Sequence, residues 1–338
     1  VTVSSQGTSG NVTIDNGTTA LGVQGTANGN LVLISGEVIT DSAALTVSGT
    51  TTVTTDVADK AITLGTLAST GDVSLNSSGT TGNAVVNNTT TALGLAASSI
   101  GGTLTAETDN SITVKGTVTS KGVTSLSASD DVIFAAAGAL ASTNGNITVT
   151  ADDDNTPTGT GGAMTMANGA TINSGTGTIT LSADEDIALG GLTTTNATGA
   201  AVSITSDNGS ITDGGDTSVD ITASTTGAVV TLAAKNAIGT VSGDSVYLDP
   251  ADTGYAGNPL ETAMLTASIT TSAVNSDIAI DNTSSGGLTI SALQPGGAGN
   301  AASAWIRNSA ALDVSGITIN STNNSADELA FIATTGNL

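Results

Sequence analysis

The sequence predicts an all-β protein wound as a parallel β-solenoid, and three observations lead there. Short runs of alternating β-branched and small polar residues recur from end to end. Gly, Asn, Asp and Ser punctuate the gaps, and aromatic residues make up only 1% of the chain. Alternation with period two turns one set of side chains inward and the other outward on a strand. The punctuating residues supply turn chemistry between strands. Scarce aromatics count against tandem β-sandwiches, whose core is about 10 Å thick and usually wants large side chains. A solenoid core is a narrow channel, which Val, Ile, Leu and Ala fill by stacking on their equivalents one turn away.

Taken in order, strands are expected at NVTID (11–15), NLVLIS (30–35), ALTVSG (44–49) and AITLGTL (61–67). They continue at DVSLNS (72–77), SITVKGTV (111–118), NITVTA (146–151) and TITLSA (178–183). The last are AVSITSD (201–207), VVTLAAK (229–235), GLTISAL (287–293) and LDVSGITIN (312–320). Gly, Asn, Thr and Ser are poor helix interiors, and no heptad-like apolar spacing is sustained. Strands stand roughly 10 residues apart and turns hold roughly 20–25. That spacing predicts on the order of 14–17 turns in an elongated, single-stranded rod, about 65–80 Å long at ~4.8 Å per turn.

A Gly-Asn pair opens several of these runs: Gly10-Asn11, Gly29-Asn30 and Gly145-Asn146. The closing letters, Thr334-Thr335-Gly336-Asn337-Leu338, have the same form and read as the first residues of a further turn. Regular turns are expected over 1–243, with an acidic loop excursion at about 151–162. Composition breaks over 244–308, which carries both tyrosines, the only Trp, the only Arg and three of the four prolines. This stretch is expected to be solenoid with loop excursions. Residues 309–338 are expected to be the final turns, uncapped and continuing into a next coil.

Low complexity raises the question of disorder, because few aromatics and many small polar residues often bury too little surface. Here the mean hydropathy is positive, and Val, Ile and Leu recur at regular intervals. A folded chain follows. Lys60, Lys115, Lys121, Lys235 and Arg307 stand against 29 acids, for a net charge of −24. Such a surface repels phosphate backbones and anionic headgroups, so no nucleic-acid partner is expected. It also keeps a repetitive β protein in solution by mutual repulsion. No apolar run approaches the ~18 residues of a membrane span, so no direct membrane insertion is expected. Without cysteine, no disulfide holds the fold.

Three stretches carry a family resemblance: GEVITDSAALTVSGTTTVTT (36–55), GTGTITLSADEDIALGGLTTTNATGAAVSITSDNGSITDGGDTSVDITA (175–223) and AVVTLAAKNAIGT (228–240). They resemble the repeats of long bacterial exoproteins related to filamentous haemagglutinin and of autotransporter passengers. The resemblance implies a right-handed parallel β-helix, exported from a bacterium and displayed or shed at its surface, often as an adhesin.

The search for chemistry narrows the function classes. With no His and no Cys, Ser-His-Asp triads, Cys-His pairs and His-ligated zinc are impossible. A polysaccharide hydrolase needs converging carboxylates, and a lyase needs Lys or Arg beside acidic groups. The candidates are Asp130-Asp131 and Asp184-Glu185-Asp186, which lack a basic neighbour in sequence. Adjacent strand residues also point to opposite faces. Turn solvation is the reading preferred for them, and no enzyme is expected.

Asp152, Asp153, Asp154 and Asn155 place hard oxygen donors in one loop, which suits calcium, and no other cofactor is expected. The spacing of a calcium-loop motif is absent, so an acidic solvated loop is the alternative. N-x-[ST] triplets at Asn11, Asn16, Asn88, Asn146, Asn196, Asn208, Asn282, Asn320 and Asn323 read as bend asparagines, with side-chain amides stacked along the rod. Outward threonine pairs such as Thr148/Thr150 and Thr178/Thr180 fit an ice-binding face and equally any β-helix surface. Tyr247, Tyr255, Trp305 and Arg307 form the candidate contact surface for a protein or glycan partner, since these residue types dominate contact hot spots. Local packing of the loops is the competing account.

Together these expectations describe a non-enzymatic structural rod of a secreted bacterial cell-surface protein, serving adhesion or extracellular matrix structure. Its partners would be surface glycans or proteins of a host or neighbouring cell. The alternative is a subunit that self-assembles through β-helix edges into an extracellular filament, sheath or surface layer. A polysaccharide-binding or polysaccharide-degrading β-helix is the third.

Overall fold

Alternation fixes the strands at the expected places. Val12–Asp15, Leu31–Ser35, Val73–Asn76, Ile147–Ala151 and Ile179–Ala183 are all strands, most with every second side chain buried. The computed structural model describes residues 1–7, 9–152, 161–215, 217–240, 257–296, 302–317 and 329–338. Among these residues there is no helix, hence none long and apolar enough to cross a membrane. The strands pair in parallel and stack as a β-solenoid of about 13 turns. The chain divides into two compact units, 1–162 with 172–177, and 163–171 with 178–338.

In the first unit one sheet takes a strand from each turn: Leu21–Ala27, Ile39–Val47, Ile62–Leu64, Ala84–Asn87, Leu104–Thr108, Thr124–Ala128 and Ile147–Ala151. Register brings like over like. Leu64, Val86, Ala106, Leu126 and Val149 form one buried column. Each buried Leu or Val of the column is worth about 1.5–3 kcal/mol relative to exposure. Where the column beside it admits Thr124, the hydroxyl lies 2.6 Å from Ser120 Oγ and is satisfied inside.

The opposite wall begins as single strands, Val12–Asp15, Leu31–Ser35, Thr51–Thr55 and Val73–Asn76. Above Val73–Asn76 it divides into two short strands per turn. Leu93–Leu95, Ile112–Val114 and Val132–Phe134 stack on one another. Ser98–Ile100, Thr117–Ser120 and Ala139–Ser142 stack beside them. The run SITVKGTV is therefore two strands with a bend at Lys115-Gly116, and AITLGTL likewise divides into Ile62–Leu64 and Leu67–Ser69.

The second unit repeats the plan. Ile179–Ala183, Val202–Ser206, Val230–Ala234, Thr266–Thr271, Leu288–Gln294 and Leu312–Asp313 form one parallel sheet. Ile221–Ala223, Leu260–Met264, Ile278–Asn282, Ala304–Asn308 and Leu329–Ala333 stack on another side. The count of 14–17 turns is corrected to about 13. The reason is turn length. Asn83 and Thr103 meet across 20 residues, whereas Asp220 and Glu261 in the second unit meet across 41.

The Gly-Asn opener has a physical cause. Each such pair stands at a corner where one turn lies directly on the next. Asn30 N–H donates to Asn11 Oδ1 at 2.8 Å, and Thr50 N–H donates to Asn30 Oδ1 at 3.0 Å. Gly49 N–H reaches Gly29 O at 3.1 Å, and a Cβ on Gly49 would overlap Asn30 Oδ1. Glycine allows the close approach, and asparagine ties the turns with an acceptor that the backbone lacks. A second glycine column precedes the other sheet, with Gly102 N–H to Gly82 O at 3.1 Å and Gly122 N–H to Gly102 O at 2.9 Å. In the closing stretch Leu312 N–H donates to Asn337 O at 3.1 Å, as Leu288 N–H does to Ala311 O at 2.9 Å.

Candidate functional site

The carboxylates that the sequence marks as catalytic candidates lie at turn corners, between one strand and the next. Asp131 Oδ1 accepts Gly162 N–H at 3.0 Å, and Asp130 Oδ2 accepts the Ser111 hydroxyl at 3.1 Å. Asp186 Oδ1 accepts Ser210 N–H at 2.7 Å, and Asp184 Oδ1 accepts Asn208 Nδ2–H at 2.6 Å. Asp130 bonds a group of the preceding turn, and Asp131, Asp184 and Asp186 each bond one of the following turn. Asp277 does the same for Ser303 N–H at 2.7 Å, and Asp41 for Gly65 N–H at 2.9 Å. Asp59 takes Thr80 N–H at 2.6 Å and Thr81 N–H at 2.8 Å, and these backbone donors hold its carboxyl below the ordinary range. The common chemical role is that of a turn-to-turn acceptor.

Of the calcium loop, Asp152 is described. Its backbone is left-handed, with φ 59°, and its N–H donates to Asp130 O at 3.2 Å. Asp153, Asp154 and Asn155 lie outside the described residues, as do Tyr247 and Tyr255. Trp305 and Arg307 share the outward side of Ala304–Asn308, two residues apart. Trp305 is nevertheless only 7% exposed. Arg307 stands beside its register partner Asp281, bonding it through Nε at 2.9 Å and through Nη2, while its guanidinium carbon lies 5.8 Å from the Trp305 ring centroid. Hydrogen bonding to Asp281 raises the Arg307 pKa. The pair forms a cation–π and ion-pair stack on the wall of the solenoid.

One acidic group was missed from the sequence. Oxygens of Asp213, Asp220 and Glu261 all lie within 4.8 Å of one another, and the two aspartates are 7% and 2% exposed. Asp213 accepts Gly215 N–H at 3.0 Å and Asn258 Nδ2–H at 2.7 Å, while Asp220 accepts Glu261 N–H at 3.0 Å. Three hard oxygens in this arrangement could hold a divalent cation such as calcium. No spacing motif announces them, because a long turn brings Asp220 and Glu261 together.

The basic residues are also spent across turns. Lys60 meets Glu37 at 2.8 Å, Lys115 meets Asp72 at 2.6 Å and Lys121 reaches Gly79 O at 2.7 Å. Lys235 Nζ donates to Asn208 Oδ1 at 2.7 Å.

Comparison with family models, with curated proteins and with solved structures finds no match in any of the three. The fold and its corner chemistry are therefore the ground for a functional reading.

Proposed function

We propose that this solenoid is a non-enzymatic structural segment of a secreted bacterial surface protein, serving adhesion or extracellular matrix structure. The observation that carries the reading is the use made of its carboxylates. Asp41, Asp59, Asp131, Asp186 and Asp277 each accept a backbone N–H of the next turn. Groups engaged in this way tie each turn to the next and so stiffen the stack. Loops grafted on such a stack can vary without disturbing it, which suits display of contact residues. The net charge of −24 makes separate chains repel one another in solution.

The test uses the purified chain on arrays of surface glycans and extracellular proteins, beside a viscosity assay with neutral and uronic-acid polysaccharides. Retention on an array with unchanged viscosity supports the reading. A steady fall in viscosity overturns it in favour of a carbohydrate-active enzyme. Regular fibres in electron micrographs without retention would transfer the proposal to a self-assembling subunit.

A further inference from the structure

In the second unit, three successive turns place Asp184, Asn208 and Lys235 in one line. They follow strands that pair through Ala183, Ser206 and Ala234. Lys235 Nζ lies 2.7 Å from Asn208 Oδ1, and Asn208 Nδ2 lies 2.6 Å from Asp184 Oδ1. The backbone beneath them is fixed across the turns. Asn208 N–H donates to Asp184 O at 2.6 Å, Lys235 N–H to Ser206 O at 3.1 Å and Asn236 N–H to Gly209 O at 2.9 Å. Asn236 Nδ2 adds a bond to Asn208 O at 3.1 Å.

We propose that Lys235 and Asn208 form an intramolecular amide cross-link, with Asp184 as the proton carrier. Proximity is what such a reaction chiefly requires, and here the stacked corners hold the amine against the amide it would attack. The Lys235 ammonium first gives a proton to solvent. The free amine adds to Asn208 Cγ, forming a C–N bond as the C=O pair moves onto Oδ1. A proton passes from the added nitrogen to Nδ2 through Asp184, which already touches Nδ2. The Cγ–Nδ2 bond breaks, the C=O bond re-forms and ammonia departs, taking up a proton from water. The sum is one ammonium and one primary amide converted to one secondary amide and one ammonium ion, with no oxidant or cofactor.

Two features single out this pair. Among the five basic residues, Lys235 is the one whose side chain meets a side-chain amide; Lys60, Lys115 and Arg307 meet carboxylates, and Lys121 meets a backbone carbonyl. The competing nucleophile, the Gly209 nitrogen, would attack the same Cγ to give a cyclic imide. Its N–H is instead buried in a 3.0 Å bond to Ser206 Oγ. The cross-link would join side chains 27 residues apart in a chain with no cysteine. It would lie just before the longest step in that sheet, where Val230 pairs with Ala267.

The experiment is intact-mass spectrometry of the whole chain, fresh and after warming at mildly alkaline pH, followed by tryptic and Asp-N mapping. The expected result is a species lighter by one ammonia, with trypsin no longer cutting after Lys235. Asp-N digestion should then yield a branched peptide joining the segments that carry Asn208 and Lys235. Lys235→Arg should abolish both signals, and Asp184→Ala should slow their appearance at least tenfold. A mass equal to that of the sequence, with free cleavage after Lys235, overturns the proposal. So does an ammonia loss that persists in Lys235→Arg, which would mark a cyclic imide at Asn208-Gly209.

Discussion

Asn282 donates from Nδ2 to Oδ1 of Asn308 at 2.8 Å, one turn apart and fully buried. The ladder runs further in both directions. Asn282 Oδ1 accepts the Thr262 hydroxyl at 2.9 Å and Met264 N–H at 2.7 Å, and Nδ2 also donates to Met264 O at 3.1 Å. Asn308 Nδ2 ends it on Ala311 O at 2.6 Å. Truncating Asn282 to Ala would strand several buried groups at once, each costing about 1–3 kcal/mol. Asn282→Ala is expected to lose roughly 3–5 kcal/mol in urea unfolding. A loss under about 1 kcal/mol would mean that water replaces the amide and that the ladder is not a structural tie.

The glycine columns make a paired prediction. A Cβ on Gly102 would overlap Asn83 Oδ1, the atom that accepts Thr103 N–H at 2.9 Å. Gly102→Ala should therefore cost about 1–3 kcal/mol through overpacking. Gly199 has nothing within 4 Å of the equivalent position and no left-handed φ. Gly199→Ala should stabilise by about 0.4–1 kcal/mol, because it restricts the unfolded chain. Thermal melts of the two variants should move in opposite directions.

These two cases show what sequence could and could not convey. Alternation disclosed the inward columns, since each strand states its own faces within a few residues. The Gly-Asn openers were visible as a repeated pair, and their role followed once Asn11 and Asn30 stood over one another. The division of the wall into two strands per turn was not legible, because three-residue strands such as Leu93–Leu95 and Ser98–Ile100 carry too few alternations. Nor was the grouping of Asp213 with Glu261, which depends on the length of an intervening turn. The type of Trp305 is legible in the sequence, but its burial to 7% exposure beside Arg307 is not, because it depends on the neighbouring turns.

Surface ion pairs should matter far less than the corner and ladder contacts. Lys115 reaches Asp72 across 43 residues, passing over Gly94, with side-chain exposures of 49% and 37%. Pairs this open contribute about 0–1 kcal/mol and are screened by salt. Lys115→Met should lower the denaturation midpoint only slightly at low salt. In ~1 M salt, where the screening length falls to about 3 Å, the difference from the parent chain should vanish. A large loss that survives high salt would show that the lysine stem, and not its charge, holds the turns together.

Acid should loosen the corner at Asp59 in a defined direction. The carboxyl is held below its ordinary value of about 3.9, first by the Thr81 and then the Thr80 backbone N–H, with a smaller pull from the Lys121 charge. The folded pKa is thus lower than the unfolded one, so the native state binds fewer protons in the window between them. The stabilisation is fully present above about pH 3.9, the unfolded value, and is lost as pH falls through the folded value. An NMR titration of the Asp59 carboxyl carbon should place its midpoint below that of a free aspartate. Asp59→Asn keeps an acceptor oxygen but removes the charge that strengthens both bonds. Its urea midpoint should lie below that of the parent chain at neutral pH, and the gap should close as the parent's carboxyl protonates. A gap that stays constant down to about pH 2 would place the effect in packing and not in the charge.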